Sequence, residues 1–135
     1  MKRIFGIVAV ISVVLVIAWW AQGRGLHVPI DQASVKEVRV WGDAIGHSGR
    51  QATPDEKDQI IRWFNEGANP WDNSALAGTT PQAGIDIRFN DGRHMGIFRS
   101  GSDFEVQDFR SVKPRYYWLK QADLRRILDE LAKGQ

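Results

Sequence analysis

The spacing of apolar residues changes along the chain, and each spacing predicts a different element. Residues 4–18 (IFGIVAVISVVLVIA) carry no charge and lead into Trp19, Trp20 and Ala21. A bilayer core takes about 20 helical residues, so residues 1–21 are expected to form a short N-terminal transmembrane anchor. Trp19 and Trp20 stand where an interfacial aromatic belt would place them, and Lys2 and Arg3 on the short flank predict a cytoplasmic N-terminus. The competing reading is a cleaved secretory signal. Its cleavage site wants small residues, and Val16 and Trp19 stand at the key positions before cuts after Ala18 and Ala21. Residues 22–33, with Gly23, Gly25 and Pro29, read as a tether.

From residue 34 the period falls to two. Residues 34–41 (SVKEVRVW) alternate Val38 and Val40 with Glu37 and Arg39, the pattern of a half-buried strand. Residues 42–52 hold three glycines and predict a loop. Thr53, Pro54 and Glu56 then combine an N-cap, a proline at the first helical position and a capping box, so a helix should run to Glu66 with Ile60, Ile61, Trp63 and Phe64 inward. Residues 67–83 show no sustained period and predict a long loop carrying Trp71.

Residues 84–90 (GIDIRFN) form the clearest strand, and Asp91-Gly92 predicts a type I′ hairpin turn. A two-residue turn pairs Phe89 with His94 and Ile85 with Phe98, which buries His94. A one-residue bulge buries Met95 and Ile97 instead, and both registers stay open. Strands are expected over 104–109 and 116–119, and a helix over 121–133 with Leu124, Ile127, Leu128 and Leu131 in one stripe. The order β-α-β-β-β-β-α behind the anchor is an α+β two-layer domain over residues 34–134, an antiparallel sheet with both helices on one face.

Composition narrows what such a domain does. The 135 residues are 43% apolar and 25% charged, as in one folded domain. Lys and Arg number 18 against 16 Asp and Glu; without Lys2 and Arg3 the counts are equal, so the basic footprint of a nucleic-acid binder is missing. With no cysteine, disulfides, thiol chemistry, thiolate metal sites and a lipid-modified N-terminus drop out.

His27, His47 and His94 lack the spacing of a metal pair, so no metal and no cofactor are expected. Residues 46–49 (GHSG) miss the nucleophile-elbow spacing, because Arg50 stands where the last glycine belongs. The Asp86, Asn90 and Asp91 pattern lacks the glycine and glutamate positions of a calcium loop. Asp43, Asp72, Asp103 and Asp108 read as solvated turn residues, with His94 the alternative acid-base group of a small hydrolase. The aromatic set Trp71, Tyr116, Tyr117 and Trp118 is more telling. Alternation along a strand sends Tyr116 and Trp118 one way and Tyr117 and Leu119 the other, so one pair faces away from the core unless a helix covers it.

Thr-Pro-Asp-Glu-Lys at 53–57, IIRWFN at 60–65, IDIRFNDG at 85–92, FEV at 104–106, YYWL at 116–119 and the Leu-rich last helix together resemble the YhfM-like small exported domains of Bacillus-type Gram-positive bacteria, which are membrane-anchored or lipoproteins. The resemblance covers the chain from the first strand to the end. It implies an exported domain and no established activity or functional residues, and the missing lipobox cysteine is a departure. The leading expectation is a single-pass, extracytoplasmic, non-enzymatic binding or accessory module whose partner is an envelope protein or a small ligand. A small envelope hydrolase and a purely structural domain are the alternatives.

Overall fold

The computed structural model describes residues 10–18, 25–73 and 80–133. It is an α+β domain with one seven-stranded antiparallel sheet. The strands are β1 (Val35–Gly42), β2 (Gly46–Gln51), β3 (Ala68–Asp72), β4 (Ala83–Phe89), β5 (His94–Ser100), β6 (Asp103–Asp108) and β7 (Arg115–Lys120). The helices of the domain are α1 (Pro54–Asn65) and α2 (Ala122–Ala132), and a single 3-10 turn, Gln32–Ser34, leads into β1. The spatial order is β2-β1-β4-β5-β6-β7-β3.

Residues 10–18 are helical and exposed. The remainder of the expected anchor, residues 1–9 and 19–21 with Trp19 and Trp20, lies outside the described residues. Among the described residues no helix is long and apolar enough to cross a membrane.

The two-residue period creates one continuous apolar face. Val38 pairs with Ile87 and Val40 with Ile85; Ile87 meets Met95, Ile85 meets Ile97, Ile97 meets Val106, and Val106 meets Tyr117. Onto that face α1 packs Ile60, Ile61 and Phe64, and α2 packs Leu124, Leu128 and Leu131, closing one core. The α1 start is as the sequence predicts. Thr53 Oγ1 accepts from the Glu56 amide at 3.2 Å, and Glu56 accepts from the Thr53 amide at 2.9 Å. Arg50 grips the same carboxylate with two hydrogen bonds and, with these caps, pulls its pKa down to about 2.

Three expectations about the strands and their turns are corrected. Residues 42–52 are not all loop, because Gly46–Gln51 form β2, pairing Arg39 with Gln51 and Val40 with Arg50. This strand lies at the sheet edge with hardly any burial, so it carries no apolar alternation to detect. The 67–83 loop is also shorter than expected, since Ala68–Asp72 form β3 along β7, with Trp71 opposite Trp118. It is the other edge, where Pro70 is tolerated. Residues 74–79 lie outside the described residues.

The third correction concerns the hairpin, whose loop has three residues rather than a type I′ pair. The Gly92 amide donates to Phe89 O at 3.0 Å, the Phe89 amide donates to Arg93 O at 2.9 Å, and only Gly92 takes a positive φ, 86°. The extra residue sets Arg88 opposite His94 and Ile87 opposite Met95, so Met95 and Ile97 are buried and His94 is exposed.

From Gly25 onward the segment read as a tether is docked on the domain. Asn65 clamps the backbone of Ile30 on both sides, accepting from its amide at 2.7 Å and donating to its carbonyl at 3.0 Å. The His27 ring packs edge-on against Phe64, with its Nδ1 3.2 Å from the Tyr117 hydroxyl. Arg110 donates to the carbonyls of Pro29 at 2.9 Å and Val28 at 2.6 Å. Arg110 is itself held by the fully buried Asp108 carboxylate, which also takes Arg115 at 2.7 Å. Burial alone would raise the Asp108 pKa, but the two guanidiniums outweigh it and hold the carboxyl below its usual range. Asp108 was expected to be a solvated turn residue and is instead an ionic anchor.

Removing one partner of a buried ion cluster leaves uncompensated charge. Asp108→Asn should therefore lower unfolding free energy by about 3 kcal/mol, seen as a lower urea midpoint with an unchanged slope. It should also open residues 25–30 to protease. A wild-type midpoint would show that the cluster adds no stability.

Candidate functional site

Among the described residues the helices cover one face of the sheet and leave the other open. The other face carries every second side chain: Glu37, Arg39 and Trp41 on β1, Asp86 and Arg88 on β4, Phe98 on β5, Glu105 and Gln107 on β6, Tyr116 and Trp118 on β7. Two glycines let rings lie against this surface. A Cβ on Gly84 would stand 2.4 Å from the Trp41 indole, and one on Gly96 would stand 2.4 Å from the Phe98 ring. Trp41 and Phe98 sit 6.1 Å apart by centroid, and Trp41 also meets His47 at 5.4 Å. At the other end of the strands His94 stacks on Phe109 at 4.7 Å, and Phe109 meets Tyr116 edge-on at 5.9 Å.

Of the four aromatic residues singled out by sequence, three share this face and one does not. Tyr117 is fully buried among the helices, where burial raises its hydroxyl pKa well above the usual value. Tyr116 and Trp118 are half-buried on the open face, and Trp71 is 66% exposed. Trp71 and Trp118 are cross-strand partners, so their side chains project together.

They line a cleft of about 540 Å³ whose rim includes Asn69, Ser100, Asp103 and Lys120. One lining residue is tied to the helix side: Arg125 donates to the Asp103 carbonyl, while Asp129 binds Arg99 at 2.7 Å and Arg125 at 2.9 Å. The edge strand is irregular between Ala68 and Trp71, where Asn69 takes φ 52°. Bulges of this kind re-aim the side chains that follow.

A second cleft, of about 560 Å³, lies over β1, β4 and β5 and is lined by Lys36, Arg39, Asp86, Arg88 and His94 among others. Burial raises the pKa of Asp86, against the opposing pull of a Trp41 hydrogen bond and of nearby Arg88, His94 and Arg39.

The remaining candidates scatter. Asp43 bonds His47 at 2.8 Å in the exposed β1–β2 turn. Asp72 lies on the β3 edge and Asp103 at the aromatic cleft. Among the described residues no group of three or more His, Asp or Glu side chains is placed to hold a metal ion. The sequence weighed Asp86 only as part of a calcium loop and gave Trp41 and Phe98 no part in a site. Gly84 and Gly96 inside strands were the available signal, since strand glycines often mark a close approach by another group.

No protein-family model matches the chain, no curated protein matches it, and no solved structure matches it.

Desolvation of Asp86 has a signed consequence for stability. Its folded pKa lies above the unfolded value, so the native state binds more protons between the two, and stability is lost as pH rises through the folded pKa. Asp86→Asn, which keeps an acceptor for Trp41, should match wild type below about pH 4 and exceed it at pH 7 in paired thermal melts. A variant less stable at pH 7 would mean that the arginines hold the charged carboxylate in place.

Proposed function

We propose that the chain is a single-pass membrane protein whose α+β domain lies outside the cytoplasmic membrane and works by binding, as a recognition or accessory module of the cell envelope. The observation that carries the binding reading is Trp71, a large indole 66% exposed beside its cross-strand partner Trp118. A large apolar side chain left in water on a rigid strand costs solvation that a partner recovers, and tryptophan is the residue type most enriched at interface hot spots.

The membrane half rests on the sequence: the uncharged run 4–18, the Trp19 and Trp20 pair, and Lys2 and Arg3 on the short flank. The likeness to YhfM-like exported domains belongs to the same proposal, as does secretion if the N-terminal segment is cleaved. A small hydrolase is the second reading, favoured by one observation: Asp86 and His94 line the same cleft. It finds less support than binding because no nucleophile-base pair converges there among the described residues.

The natural chain lacks cysteine, which makes topology directly readable. A single Ser111→Cys variant, at an exposed loop position, should react with a membrane-impermeant maleimide on intact cells. A Lys2→Cys variant should react only after permeabilisation. Protection of residue 111 on intact cells would contradict the topology. For binding, Trp71→Ala should leave the melting temperature within a few degrees, because a surface change away from the core shifts stability by about 0.5 kcal/mol. It should also lower recovery of envelope components on the tagged chain. Unfolding by this substitution would place Trp71 in the core and remove the main support for recognition.

A further inference from the structure

We infer that the Trp71–Trp118 cleft is a saccharide site that takes a neutral oligosaccharide of pyranose rings. This rests on the binding reading above and specifies its ligand. The lining decides the chemistry. The apolar contacts come from two indoles, and among the described residues no Leu, Ile, Val or Met joins them around the cleft. An apolar peptide anchor would want an aliphatic pocket, whereas two flat aromatic faces suit a flat apolar partner.

The rim is polar. Asn69 and Ser100 supply neutral donors and acceptors, Asp103 a carboxylate acceptor and Lys120 an ammonium donor, all beside the two rings. Asp103 and Lys120 balance in charge, so neither an anionic nor a cationic ligand is favoured. A pyranose with equatorial hydroxyls has this complementary shape. Its axial C–H bonds form apolar faces that stack on an indole, and its hydroxyls radiate in the ring plane toward a polar rim.

Position agrees with chemistry. Ser100 and Asp103 close the β5–β6 turn as register partners, and Lys120 ends β7, so the rim groups come from strand ends beside the sheet surface. About 540 Å³ falls within the range of small-ligand clefts. Trp71 stands at the edge strand, where a chain of sugars can enter and leave along the sheet without meeting another element among the described residues.

The test is calorimetric titration of the full-length chain, in a detergent without a sugar headgroup, with cellotetraose and tetra-N-acetylchitotetraose, both neutral and with all-equatorial rings. Wild type should bind at least one of them. Trp71→Ala and Trp118→Phe should each weaken that binding roughly tenfold, and Asp103→Asn by a smaller factor, with Trp71→Ala melting like wild type. Absence of binding to either tetrasaccharide, together with Trp71-dependent recovery of envelope protein, would overturn the saccharide site and leave the binding module standing. Absence of both would overturn both. Saccharide binding that survives Trp71→Ala would place the site elsewhere and also overturn the inference.

Discussion

Two short helices must cover a seven-stranded sheet, and they can cover one face of it. Helices of 12 and 11 residues are about 16–18 Å long. Seven strands spaced about 4.8 Å apart make a surface nearly 30 Å across. The core is therefore complete on the helix side, while strand alternation sends an equal set of side chains to a face with no second layer among the described residues. The molecule covers part of that face with itself: Trp41 lies over Gly84, Phe98 over Gly96, and Phe109 bridges His94 and Tyr116. At Trp71 this self-cover ends.

The parts of the fold legible in sequence are those where one physical rule acts alone. Val38, Val40, Ile85 and Ile87 alternate because one strand face is dry, and Thr53 with Glu56 marks a helix start because orphan amides need acceptors. The edges were illegible because β2 and β3 bury almost nothing, leaving pairing as their sole signature, and pairing is set by partners distant in sequence. The hairpin register turned on whether Asp91 or only Gly92 takes a positive φ, a choice the dipeptide leaves open. Asp108 looked like a turn residue because Arg115 reaches it, and Arg110 links it to the docked 25–30 segment, only in the folded chain. For the site, the parity of Tyr116, Tyr117 and Trp118 was readable, but which parity faced the helices depended on register across the whole sheet.

The buried Asp108 cluster and the aromatic cleft sit at opposite ends of β6, which runs from Asp103 to Asp108, about 17 Å at the usual rise per residue. The cluster fastens the segment that leads back toward the N-terminus, through Arg110 on Val28 and Pro29 and Arg115 on Gly25.

On the binding proposal, Trp71 is open in the isolated protein and covered where the protein works. Hydroxyl-radical footprinting, read residue by residue by mass spectrometry, measures this in the purified full-length chain and in intact cell envelopes. Trp71 should oxidise rapidly in the purified chain and be markedly protected in the envelope, while Tyr117 resists in both. Equal Trp71 oxidation in the two preparations, or a Trp71 already protected in the purified chain, would contradict it.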